Sequence, residues 1–229
     1  MDAIADESLI VRESLGARVW QYCRRHPTIV IGALLLLVML IIALLASHLT
    51  PDPMKLNPIK RLRVPGEGML FGTDMYGRDV FARTLHGSRI SLLVGLSAAA
   101  VSTLFGLTIG LMAGYNRLFD TIVMRFMDGI MAIPSILLAI ALVSLTGASV
   151  GIVIVAISIP EIPRVVRLVR SVVLTIREQP YVEAAISVGA RLPTILLRHI
   201  LPNTLAPLIV QATYVCASAM ITEAILSFL

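Results

Sequence analysis

Residues 161–202 read EIPRVVRLVRSVVLTIREQPYVEAAISVGARLPTILLRHILP. The stretch is polar, carries six arginines (Arg164, Arg167, Arg170, Arg177, Arg191 and Arg198) and lies between two long apolar segments. Inside it, Pro180 suits the first turn of a helix, where its missing N–H costs nothing. Gly189 can end that helix in a left-handed conformation, and Pro193 hinders continuation. The pattern predicts a short helix over 180–189. Val182 and Ile186, four apart, would form an apolar stripe, Ala184 and Ala185 would let another surface come close, and Glu183 would offer an anionic contact near the helix start. Arginine suits phosphate headgroups and acidic protein surfaces alike. The chemistry by itself leaves two readings open, a helix lying on lipid and a helix docking onto a protein.

The rest of the chain explains why such a helix is unusual. Of 229 residues, 57% are apolar and 14% charged, and the mean hydropathy is +0.90. Soluble domains carry roughly a quarter charged residues, so the class is a polytopic membrane protein. The net charge of +5 is a weak pointer to nucleic acid. Most charges flank apolar runs, the pattern of membrane proteins, and nucleic acid is not an expected partner. Cys23 and Cys216 fall at different depths and fit no metal spacing. His26, His48, His86 and His199 are scattered without an HExxH motif, and read as boundary residues rather than ligands.

Residues 27–47 hold no charge and suffice for a first span; the apolar run is too long for the core of a cleaved leader. Residues 90–116 give a second, with Gly106, Gly110 and Gly114 four apart on one face, a spacing that lets helices approach closely in lipid. Residues 129–160 are uncharged for too long to be one span. The turn-forming Thr146-Gly147-Ala148-Ser149 divides the run into a third helix, about 121–145 with Pro134 kinking it, and a fourth, about 150–169. A fifth run, about 203–229, carries Glu223. The expected organisation is a segment 1–26, a first span 27–48, a loop 49–89 and a core 90–229. The absence of a polar tail after Leu229 leads to the expectation that the chain stops short of its natural end.

With the N-terminus inside, the cytoplasmic side would hold twelve basic residues and the outer side seven, all in loop 49–89. The tally favours a cytoplasmic N-terminus and a cytoplasmic 161–203. Loop 49–89 is rich in proline and glycine to residue 68 and then reads GTDMYGRDVFAR. Asp79 and Arg83 are four apart and could pair on a helix. Asp74 and Asp79 resemble half a calcium loop, but the later ligands are missing, so the loop reads as a folded cap and no metal is expected.

The stretch 161–202 resembles the EAA motif of ABC-importer permeases: E-A-A, three residues, G, nine residues, then I-x-L-P. Glu183, Ala184, Ala185, Gly189, Leu201 and Pro202 match, while His199 occupies the isoleucine position with Ile200 beside it. The peptide/nickel branch is also resembled by 72–95, by Ala113-Gly114-Tyr115, by the segment from Met124-Arg125 to Ala132-Ile133-Pro134-Ser135, and by EAILSFL at 223–229. Together these cover about 72–229.

The resemblance implies an all-α membrane protein of the type I importer permease fold, the C-type subunit of a permease pair, with five of six expected helices present. It implies a sixth helix beyond Leu229, a second related permease chain, two cytoplasmic ATPase subunits or domains carrying ATP and Mg, and a periplasmic or lipid-anchored binding protein, all at the bacterial inner membrane. Residues 180–189 become the coupling helix, which favours docking over lying on lipid. The sequence agrees with that division of labour. It has no GxxxxGK[ST] phosphate loop, and its two lysines, Lys55 and Lys60, lie in the outer loop. The chain is therefore expected to be no enzyme and to bind no cofactor. Glu223 and Asp128 are candidates for the pathway or for pairing helices. The rival class is an ion-driven secondary transporter, which would need coupling residues at mid-membrane; inverted repeats are not evident.

Overall fold

The computed structural model describes residues 23–66, 68–147 and 149–228. Most of the expected segment 1–26, together with Glu67, Ala148 and Leu229, lies outside the described residues. The fold is all helical; among the described residues, β pairing is confined to two isolated bridges, Gly66 with Met69 and Thr73 with Asp79. The helices are α1 (Pro27–Leu49), α2 (Val80–Tyr115), α3 (Arg117–Met131), α4 (Ser135–Thr146), α5 (Val150–Arg177), α6 (Pro180–Ser187) and α7 (Leu192–Phe228). Three of them, α1, α2 and α7, are each long and apolar enough to cross a membrane, and the bent pair α3–α4 makes a fourth if taken as one span. The protein is a polytopic membrane protein. Cys23 and Cys216 are free thiols. The chain divides into two compact units, residues 1–89 and 90–229.

In the first unit, α1 exposes leucines around its circumference and buries only Ala43 and Ala46. An apolar surface of that kind is stable only in lipid or under another helix. The following loop is built on side-chain hydrogen bonds. Thr73, 7% exposed, donates its hydroxyl to the Lys60 carbonyl and accepts from the Arg63 N–H. Asp74 accepts from the backbone N–H groups of Tyr76 and Arg78, both at 2.9 Å, and from the guanidinium groups of Arg78 at 3.0 Å and Arg83 at 2.8 Å. Desolvation pushes its carboxyl up, but these hydrogen bonds and the Arg78 charge outweigh it and hold the pKa at about 2. The Asp79–Arg83 pair expected from spacing does not form. Arg83 goes to Asp74, and Asp79 instead caps α2, accepting from the Phe81 N–H at 2.9 Å. Gly77 sits at φ +74°, and a Cβ there would collide with the Asn57 carbonyl.

That cap starts α2 at Val80, ten residues before the apolar run begins. The expected start at 90 follows hydropathy, whereas the backbone follows the cap. The same difference recurs in the second unit. α5 continues to Arg177 rather than ending near 169, and α7 begins at Leu192 rather than 203. Pro193, expected to interrupt helix, sits in the first turn of α7 and starts it. The third helix departs more sharply from expectation. Instead of one kinked helix over 121–145, α3 and α4 are separate and bent by 82° at Ala132–Pro134. Pro134 removes a backbone bond and disfavours the helical conformation of Ile133 before it.

α5 forms the centre of the second unit. Val165, Val169 and Val173 are fully buried and lie against Gly106, Gly110 and Gly114 of α2. A Cβ added to those glycines would come within 2.4, 2.7 and 2.6 Å of a valine Cβ, so the glycine face is the contact that brings α2 and α5 together. With Glu161, Arg164, Arg167 and Arg170, α5 is too charged to count as an apolar span. It is covered instead by its neighbours α3, α4 and α7.

Candidate coupling helix and outer cavity

α6 spans Pro180–Ser187, with Pro180 at its first position. Its C-terminus is a Schellman closure: the Gly189 N–H donates to the Ile186 carbonyl at 2.9 Å and the Ala190 N–H to the Ala185 carbonyl at 3.0 Å. Gly189 takes φ +83°, the left-handed conformation this closure requires. One residue anchors the helix. Val182 is fully buried and packs in the cluster that includes Val173 and Ile176 of α5 and Ile195 and Ile200 of α7. The expected Val182–Ile186 stripe is thereby divided, because Ile186 is 47% exposed. Glu183, Ala184, Ser187, Val188 and Gly189 are also exposed, and Ala185 is half-buried. Among the described residues the Glu183 carboxylate meets no cation.

The second half of the EAA pattern lies on a different element. Leu201 and Pro202 are in α7, immediately after a π-helical segment, Ile195–Ile200. Pro202 has no N–H to close an α-helical bond to Arg198, and the widened turn precedes it. Asn203 donates its amide to the His199 carbonyl at 2.7 Å and to the Tyr181 hydroxyl at 3.2 Å. The Tyr181 and His199 rings stand 6.3 Å apart. Leu201 packs against the same core cluster as Val182. The two halves of the motif are thus joined through Val182, Tyr181 and Asn203, of which the last was not singled out from sequence.

Asp128 accepts from Arg167 at 2.5 Å. Beside it Arg170 grips Asp120 with two nitrogens, the second bond at 2.6 Å. Arg164 bonds Glu161 at 2.8 Å, and the other Glu161 carboxylate oxygen is buried without a hydrogen-bond partner among the described residues. The Asp128–Arg167 and Asp120–Arg170 pairs, which fasten α3 to α5, were missed in the sequence, as was the Glu161–Arg164 pair within α5. The only signal was the three-residue spacing of Arg164, Arg167 and Arg170 opposite two aspartates eight apart. Glu223 is far along α7 and half-buried. Its Oε2 accepts from the Ser91 hydroxyl at 2.9 Å, and it lines a cavity of about 300 Å³ formed by the ends of α2, α4, α5 and α7.

The all-helical membrane core presents a short, exposed, well-terminated helix, α6. The family model described as "binding-protein-dependent transport system inner membrane component" matches residues 106–229, and that described as "N-terminal TM domain of oligopeptide transport permease C" matches 14–65. The chain is 57% identical over 211 residues to a probable peptide ABC transporter permease protein of Sinorhizobium fredii, covering 92% of this chain and 72% of that protein. It is 41% identical to a dipeptide transport system permease protein of Alkalihalophilus pseudofirmus, covering 90% and 68%. It is 40% identical to a glutathione transport system permease protein of Pectobacterium atrosepticum, covering 96% and 75%. The chain belongs to the family of inner-membrane components of binding-protein-dependent transport systems, and its fold is the type I importer permease fold. The secondary-transporter reading is set aside.

Proposed function

We propose that this chain is one permease subunit of an ATP-driven peptide importer in the bacterial inner membrane, forming half of the translocation path with a second, related subunit. The names of its relatives, which are peptide, dipeptide and glutathione permeases, support a peptide substrate. The N-terminus is cytoplasmic, by the basic-residue tally, and loop 49–89 faces the periplasm, where a binding protein delivers the substrate. ATP and Mg belong to two cytoplasmic ATPase subunits.

The observation that carries this reading is α6: its outer face is exposed and small, whereas Val182 fixes it to the ends of α5 and α7. A helix held this way moves as a rigid lever. Glu183, Ala184, Ala185 and Gly189 form the docking face, and Leu201 and Pro202 shape the α7 segment that receives the motion. Asp128 pairs helices rather than lining the path, since its partner is Arg167. The test is ATP-dependent uptake of labelled trialanine into proteoliposomes containing the complete transporter. Uptake that requires the ATPase subunits and the binding protein is expected; uptake that proceeds without ATP would contradict the assignment.

A further inference from the structure

Glu223 differs from the acids of α3 and α5. Asp120, Asp128 and Glu161 each meet an arginine. Among the described residues Glu223 meets no cation; its partner is the Ser91 hydroxyl, bonded to Oε2 at 2.9 Å. A carboxylate without a counter-charge in an apolar surrounding is costly, and such a group marks a functional site by default. Here it faces open volume. The cavity of about 300 Å³ has walls of Val94, Val143, Val153 and Leu226, with Ser149 and Ser227 also lining it. This is the lower end of the size range of small-molecule sites, with room for one end of a peptide rather than a whole oligopeptide. One carboxylate and a few hydroxyls are too few oxygen ligands for calcium, and the site lacks the carboxylates and phosphates that hold magnesium.

We propose that Glu223, held by Ser91, binds the terminal ammonium group of a peptide in transit. The inference rests on the peptide reading above. Peptides of different sequence share a terminal ammonium, a backbone and a terminal carboxylate, and a lone carboxylate complements the first of these. The valine and leucine walls accept a first side chain of varied shape without a hydrogen-bond requirement. Specificity is then for a free amino terminus, not for a particular residue.

The test compares trialanine with N-acetyl-trialanine in proteoliposomes holding the complete transporter, wild type or Glu223→Gln. Glutamine keeps an acceptor for Ser91, so the yield and unfolding temperature of the complex should not change. Trialanine uptake should fall at least about tenfold, the size of one charge-assisted hydrogen bond, while uptake of the acetylated peptide stays as in the wild type. An equal fall for both probes, or no fall for either, overturns the site. Should the wild type move neither probe, the peptide reading fails and the site with it; wild-type uptake that Glu223→Gln leaves intact overturns the site alone. Photocrosslinking adds a second measurement. A diazirine on the first residue of trialanine should label the segments holding Val94, Val153 or Leu226, and lose that labelling in Glu223→Gln; equal labelling from a diazirine on the third residue would overturn the assignment.

Discussion

Charges in the α3–α5 seam and charges on and around α6 are of the same chemical types but have opposite surroundings. In the seam, Asp120 grips Arg170 and Asp128 meets Arg167. On α6, Glu183 meets no cation among the described residues, and Arg191 and Arg198 near it are exposed. A partly desolvated charge left without its partner destabilises a fold, so the Asp120–Arg170 pair, 18% and 31% exposed, is structural. An exposed charge costs little where it stands, so the α6 charges are free to serve another molecule. The difference separates residues that hold the subunit together from residues that, under the proposed function, would meet an ATPase.

The largest effect that would break this contrast is expected in the seam. Asp120→Ala leaves Arg170, 31% exposed, without its bidentate partner, and should destabilise the subunit by about 2–3 kcal/mol, less than a fully buried pair. Thermal unfolding in detergent measures it, and the charge-swapped double variant Asp120→Arg with Arg170→Asp should recover part of the loss. Next is the joint between the two regions. Val182→Ala removes two buried methyl groups and should cost roughly 2 kcal/mol, while also lowering uptake per ATP hydrolysed because α6 is no longer fixed to α5 and α7. Unchanged stoichiometry of uptake to hydrolysis would show that the lever is held elsewhere.

On the exposed face the expected stability effect is small. Glu183→Arg should change unfolding by less than about 0.5 kcal/mol yet reduce ATPase retention. A seam-sized loss of stability would show that Glu183 is structural and would erase the contrast. The smallest effect concerns Asp74, a paired charge outside the core. Its pKa is about 2 against an ordinary 3.8. A depressed carboxylate stabilises the folded loop above about pH 4 and loses that contribution as pH falls towards 2. The protection factors of amides in residues 50–79, exchange rates divided into the intrinsic rate at each pH, should therefore fall between pH 4 and 2, and Asp74→Asn should remove that fall.

How much of this was legible in the sequence depends on whether the determinant is local. The α6 helix was readable because Pro180 and Gly189 set its ends through backbone geometry. The glycine face of α2 was readable because three small residues four apart signal close approach. Helix limits were misread wherever polar residues continued a helix beyond the apolar run: Asp79 starts α2 early, the arginines carry α5 to residue 177, and Pro193 starts α7 inside the polar stretch. Hydropathy reports the surrounding medium, not the backbone. The 82° break at Pro134 was underestimated as a kink. The seam pairs were invisible because residues 39 and 50 positions apart carry no local signal of register, and the Ser91–Glu223 bond spans 132.

The central claim is that α6 is where an ATPase docks, and retention of the ATPase subunits on the affinity-purified permease tests it most directly. Glu183→Arg should retain them at least about tenfold less well than wild type, the loss expected for one charge-assisted contact, with the permease pair itself intact. Full retention, together with normal trialanine uptake, would contradict the account.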